Sequence, residues 1–282
     1  MLGRNSDSYR FWLKEWERYK KIPENIDFAN LGSTCDANNF DYSYWNGIGF
    51  NFASAPQDMY YDNQILEQYG CHIKNGGYVF ISISEFAFLV DKYETDYHNH
   101  KYYGYLEASR VCDYSLIKNI LLKSFPGLVD NRYIKQEVKK IIKHFVDKEI
   151  MTCSIKELSI SSMTRWKKEF GWNETAILTD YQKETLEKSW DIFLRNIKFC
   201  NENKLIPIVV IPPFNKYLKE VMPKEILDEC LWCYIERMYK MGIKVVNFWE
   251  DEELEDEKYY RTPICLNEDG KKVFNFRLIN EI

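Results

Sequence analysis

Apolar residues in this chain gather into five short runs, separated by longer stretches with helical spacing. The runs are Ile26–Leu31 (IDFANL), Ile48–Ala53 (IGFNFA), Tyr78–Ser84 (YVFISIS), Ile206–Ile211 (IPIVVI) and Ile243–Phe248 (IKVVNF). Near-continuous hydrophobicity in so short a run is what a parallel strand covered on both faces requires. Between them, PQDMYYDNQILEQYG predicts a helix that stops at Gly70. TDYQKETLEKSWDIFLRNIKFCNENK places Leu186, Trp190, Phe193 and Ile197 on one helical face, with Thr179 or Asp180 as N-cap. PKEILDECLWCYIERMYKMG predicts a helix with Pro at its first position and Gly at its end. Alternating strands and helices predict an α/β fold: a doubly wound α/β/α sandwich on a five-stranded parallel sheet, flavodoxin-like in plan.

Two segments exceed that plan. Glu85–Ser109 reads as a Tyr- and His-rich loop. From Tyr114 to about Trp172 the pattern gives two or three helices, including YIKQEVKKIIKHFVDKEI. No Pro/Gly/Ser linker flanks them, so the expectation is a single domain, 1–282, with a helical insertion or cap at about 112–172. Near the N-terminus, Tyr9, Trp12, Trp16 and Tyr19 recur at helical spacing. Glu15 and Glu17 among the lysines favour a helix packed on the domain over a membrane-surface anchor.

Composition narrows the class. Of 282 residues, 45% are hydrophobic and 29% charged, which is globular rather than disordered. Aromatics reach 16%, so large π surfaces should appear in the core or a pocket. A net charge of −5 gives no footprint for nucleic acid. The acidic run WEDEELEDE, Trp249–Glu257, reads as a solvated loop. No stretch is apolar enough for a membrane span, and the first residues lack the apolar core of a signal peptide. Eight cysteines without framework spacing then predict reduced thiols in a cytoplasmic setting. Cys230 and Cys233 form a lone C-x-x-C with no second pair to complete a zinc site, so no metal and no cofactor is expected.

In an open parallel sheet, ligands bind beyond the carboxyl ends of the strands. That rule selects Gly32–Asp36, Ser54–Gln57, Ser84–Phe86, Pro212–Asn215 and the segment after Phe248. The first of these lies in NLGSTCDANNF, where a strand runs into a glycine, two hydroxyl residues and a cysteine. Taken with NFASAPQDMYYDNQILEQY, GGYVFISISEFAF, IPIVVIPPFNKYL and YYRTPICLNEDGKKVF, the chain resembles the SGNH (GDSL-type) hydrolase superfamily. It is most similar to the bacterial branch associated with surface and capsular polysaccharide loci. The resemblance runs in order from Ile26 to Phe274 and is weakest over the helical insertion.

What the resemblance implies residue by residue is mixed. The nucleophile position is Thr34, where the family carries Ser, and Cys35 follows where His or Arg is common. TPICLNEDG keeps Leu266, Asn267 and Gly270 of the C-terminal motif, but Ile264 and Cys265 occupy the catalytic Asp and His positions. The family's oxyanion Gly and Asn are not evident; Gly32, Ser33, Asn51, Ser54, Ser84 and Asn267 are the polar candidates near the pocket. A hydroxyl is a poor nucleophile without an oriented base. Ile264 can move no proton, and Cys265 can act as a base only as a thiolate. Four histidines exist. His72 falls before the third run and His144 in an amphipathic helix. His98 and His100, in DYHNHKYYGY, are expected at the pocket rim as a substitute base or, with Asp96, a metal site, against the simpler reading of a solvated loop. Cys35 and Cys265 are a second candidate pair, for thiol chemistry or a redox-sensitive disulfide. Tyr60, Tyr61, Tyr102, Tyr103 and Trp172 are candidate lining residues.

Two functions follow. One is a non-catalytic protein of polysaccharide metabolism that holds a sugar or acyl group in a degenerate hydrolase pocket. The other is an active carbohydrate esterase or O-acyltransferase using Thr34, or Cys35, with an atypical base. A small-molecule or glycan ligand is implied either way.

Overall fold

A computed structural model describes residues 3–89, 96–145, 153–172 and 177–282. The chain divides into two compact units, Met1–Ile22 with Lys92–Thr152, and Pro23–Asp91 with Cys153–Ile282. In chain order the strands are β1 (Ile26–Leu31), β2 (Gly49–Asn51), β3 (Ile73–Ser82), β4 (Ile206–Ile211) and β5 (Val245–Asn247). The helices are α1 (Asp7–Tyr19), α2 (Thr34–Asn39), α3 (Met59–Tyr69), α4 (Leu116–Ser124), α5 (Pro126–Val129) and α6 (Asn131–Phe145). They continue with α7 (Ile155–Glu169), α8 (Asp180–Glu202), α9 (Lys216–Val221), α10 (Lys224–Leu227), α11 (Cys233–Lys240) and α12 (Glu268–Asn280).

The second unit is α/β. Its five strands are all parallel in the order β2-β1-β3-β4-β5, so the chain reverses its direction of travel across the sheet between β1 and β3. Residues paired in register share a face. On one face Phe28, Phe80, Ile208, Val210 and Val246 pack with Phe274 and Leu278 of α12. On the other, Ala29, Leu31, Val79, Ile81, Val209 and Ile211 are wholly buried, and α8 packs on β4 and α3. Covering both faces is the condition for uniformly apolar strands.

β1 and β4 have the expected bounds, whereas β2 and β5 shrink to three residues each. Those two are the sheet's edges, paired on one side only. β3 begins at Ile73, earlier than the apolar run, because Ile73 pairs with Ile26 of β1; Lys74–Gly77, with Gly76 at φ +76°, then breaks the register before Tyr78 pairs with Phe28. Thr179 and Gln182 form a reciprocal cap on α8. Pro223 is the N-cap of α10 rather than its first residue, and a π-turn at Asp228–Trp232 joins α10 to α11.

The first unit is helical. The stripe on α1 is buried: the Trp16 indole donates to the Lys101 carbonyl at 2.6 Å, and Tyr19 stacks on Tyr105 at 3.9 Å between centroids. Packing therefore consumes the aromatic face that an anchor would need. The residues expected to form one insertion at 112–172 are shared between the units, α4–α6 in the first and α7 in the second. Among the described residues no helix is long and apolar enough to cross a membrane.

Candidate functional site

At the reversal point of the sheet, a cavity of about 270 Å³ opens beyond the carboxyl ends of β1 and β3. Gly32–Asp36 after β1, Pro56 and Gln57 after β2, and Ser82 with Ser84–Ala87 at the end of β3 form its floor. Met59 and Asp62 of α3 close one side. Trp166, Glu169 and Phe170, from α7 and the residue after it, form another with Phe86, whose ring lies 5.2 Å from Trp166 and 5.1 Å from Phe170. Ile264 completes the lining. Three of the five segments chosen by the strand-end rule line this cavity; Pro212–Asn215 and the stretch after Phe248 do not.

Gly32 makes the turn possible. Its φ is +132°, and a Cβ there would strike the Asp36 carboxylate. That carboxylate folds back instead: Asp36 Oδ2 accepts the Ser33 N–H at 2.8 Å and Oδ1 accepts the Ser82 hydroxyl. Beside it, Asp62 Oδ1 accepts the Gly32 N–H at 3.0 Å and Gln57 Nε2 at 2.7 Å. The Gly32 and Ser33 N–H groups before Thr34 are thus taken by the protein's own carboxylates and do not serve an open oxyanion hole. This pairing was not visible in the sequence, where Asp36 and Asp62 look like ordinary first-turn helix residues.

The electrostatics follow from burial. Burial raises Asp36 to about 6, against the lowering effect of the Ser82 and Ser33 bonds. Asp62 rises to about 7, mainly by burial, with Asp58 and Asp36 adding repulsion. Glu85, three residues past the end of β3, also rises to about 7 through burial and the nearby Asp36 charge. Glu85 Oε2 and Gln57 Oε1 are buried with no hydrogen-bond partner. Among the described lining residues there is no histidine, lysine or arginine.

Thr34 begins α2, half-buried on the cavity floor, and the fold brings the distant C-terminal segment to it. Cys265 Sγ lies 4.0 Å from the Thr34 carbonyl oxygen, across 231 residues of sequence, with Ile264 in the cavity wall. Buried Asn215 holds this junction: its Nδ2 donates to the Pro263 carbonyl at 2.5 Å and its Oδ1 caps Leu218 at 3.0 Å and accepts from Ser159 of α7. Cys35 is buried, and burial with the charges of Asp36 and Glu85 pushes its thiol well up, away from thiolate. All eight cysteines are free, and burial pushes Cys230 up to about 12.

The other polar candidates serve structure. Asn51 Oδ1 accepts from Asn30 and the Ala53 N–H while its Nδ2 donates to the Asp36 and Phe40 carbonyls. Asn267 caps α12 through the Gly270 N–H and donates to the Lys258 carbonyl. Ser54 is buried outside the cavity lining with its hydroxyl unpartnered; Ser33 and Ser84 do line it. Tyr61 and Trp172 are buried behind the lining, Trp172 stacked on Phe170, and Tyr60 is half-buried outside it.

His100 belongs to a cavity of about 350 Å³ within the first unit, where Tyr103 also lies. Its Nε2 is 2.5 Å from the Tyr133 hydroxyl, and burial lowers it to about 4 despite Asp130 at 4.0 Å, so it is neutral near pH 7. Tyr102 is buried in the same unit. His72 pairs with Glu24 at 3.1 Å, next to the first residue of β3. The side chains of His98, His144 and Asp96 lie outside the described residues. Among the described residues no group of three or more His, Cys, Asp or Glu is arranged to hold a metal ion. No protein-family model matches this chain, and no curated protein matches it.

Proposed function

We propose that the second unit is an SGNH-hydrolase-like fold whose pocket at Thr34 binds a small sugar or acylated sugar without turning it over, in polysaccharide metabolism. The observation that carries this reading is the lining around Thr34. It offers hydroxyls, carboxyls and aromatic rings, with Ile264 in the wall and Cys265 close to the Thr34 backbone, the two positions where the resemblance would put an acid–base pair. Removing the base from such a triad forfeits several orders of magnitude in rate. Acceptor-rich walls beside Trp166 and Phe170 suit a ligand that donates hydrogen bonds and offers a C–H face for stacking, and they disfavour anions. At about 270 Å³, the cavity suits one sugar ring rather than a chain.

One observation favours the catalytic alternative, an esterase or O-acyltransferase. Glu85, held at about 7 beside the cavity, has the proton affinity of a general base at neutral pH. The two readings separate on incubation with a fluorophosphonate and with aryl acetates. Binding without turnover gives no mass adduct at Thr34 and negligible hydrolysis. A stoichiometric adduct at Thr34, abolished by Thr34→Val and lost with Glu85→Gln, overturns it in favour of the esterase.

A further inference from the structure

The amphipathic helix α6 leaves its aliphatic stripe uncovered. It meets α1 and the chain before it through buried Tyr133, whose ring lies edge-on to Tyr9 at 5.6 Å, and otherwise through polar bonds: Gln136 and Ser8 exchange hydrogen bonds at 2.7 and 3.2 Å, and Glu137 accepts the Gly3 and Asn5 N–H groups at 2.9 and 2.6 Å. Lys140 pairs with Asp7 at 2.5 Å. Val138, Ile141 and Ile142, at i, i+3 and i+4, form a stripe on another side of the helix and are exposed. Leu116, Ile117 and Ile120, at i, i+1 and i+4, are likewise exposed on α4, which packs on α5, where Leu128 is exposed too. These seven side chains are 47–71% exposed and make up seven of the nineteen large exposed hydrophobic residues among those described. So dense an aliphatic surface is unusual for a surface facing only water.

Charge identifies the occupant. Residues 116–145 carry seven Lys or Arg against two Asp or Glu, a net +5, while the whole chain is −5, so the remainder is −10. Lys118, Lys123, Lys135 and Lys139 are exposed among the aliphatic residues. Aliphatic side chains that enter the acyl boundary, with lysines beside them reaching phosphate, are the pattern of a helix lying in a bilayer surface. A second copy of this basic surface would meet it with like charge.

We propose that α4–α6 dock the protein peripherally on an anionic lipid surface. The test is flotation of the full chain with vesicles of phosphatidylcholine alone or with 30 mol% phosphatidylglycerol added, at low and at 0.5 M salt. The expected result is at least tenfold stronger binding to the anionic vesicles, lost at high salt. Lys135→Glu with Lys139→Glu should weaken it by about tenfold or more, since each surface lysine contributes about 1 kcal/mol. Ile117→Asn with Ile141→Asn should weaken it comparably at unchanged far-UV circular dichroism, because all four positions are exposed. Equal binding to both vesicle types, or none, overturns the proposal. So does self-association, seen by sedimentation and abolished by the isoleucine pair, in the absence of lipid binding.

Discussion

Glu85 offers the most direct check on the electrostatics of the Thr34 pocket. In the folded chain its carboxyl titrates at about 7, against 4.5 for an ordinary glutamate, chiefly because it is buried. A carboxyl whose folded value is raised binds its proton more tightly when folded. Its contribution to stability is complete below about pH 4.5 and is lost as the pH rises through about 7. The interval of 2.5 pH units, at 1.36 kcal/mol each, corresponds to about 3 kcal/mol. Integrating the two titration curves places about 2.5 kcal/mol of it between pH 5 and pH 8. Glu85→Gln keeps the shape and removes the titration. Urea unfolding of wild type and variant at pH 5, 6, 7 and 8, followed by tryptophan fluorescence, gives the difference directly. Six of the eight tryptophans lie in the second unit, so the signal reports mainly on the unit that contains the site. The variant should gain about 2.5 kcal/mol on wild type between pH 5 and pH 8, whatever constant offset the substitution adds. A difference that stays flat across that range would falsify the view that Glu85 is buried and charged at a cost.

Other outcomes follow from single contacts. Gly32→Ala forces a Cβ into the Asp36 carboxylate at φ +132° and should cost about 1–3 kcal/mol in urea unfolding; an unchanged midpoint would refute the turn geometry. Asn215→Ala leaves the buried Pro263 carbonyl without its side-chain donor and the Leu218 N–H with only the Asn215 backbone carbonyl at 3.2 Å, and should cost about 1–3 kcal/mol, measured the same way. With Ellman's reagent at pH 8, exposed Cys71 and Cys153 should react first, while Cys35 stays unlabelled until the chain is denatured; fast labelling of Cys35 would contradict its burial. Thr34→Ser with Ile264→Asp and Cys265→His rebuilds the acid–base pair the resemblance calls for. A folded triple variant should show weak aryl acetate hydrolysis, and a folded but inert one would count against placing Thr34, Ile264 and Cys265 in one site.

The aromatic stripe of α1 and the runs that became β1 and β4 were readable because each obeys one local periodicity, and burial then enforces it on the fold. The rule for strand ends needs only strand direction, so it reached Gly32–Asp36, Gln57 and Glu85 before any geometry was known. The start of β3 was hidden by Lys74–Gly77, a polar and glycine-containing irregularity between the paired residues Ile73 and Tyr78 that interrupts the hydrophobic run. Unit boundaries depend on contacts between distant segments: α1 joins residues after 92, and α7 leaves its neighbours in sequence to wall the cavity. The resemblance put Thr34, Ile264 and Cys265 in one place. Only the tertiary structure showed that Asp36 and Asp62 occupy the Ser33 and Gly32 N–H groups, because a helix-start aspartate looks the same in sequence whether it faces water or a pocket. Burial is decided by the whole fold, and burial turned three common carboxylates into groups that titrate near neutral pH.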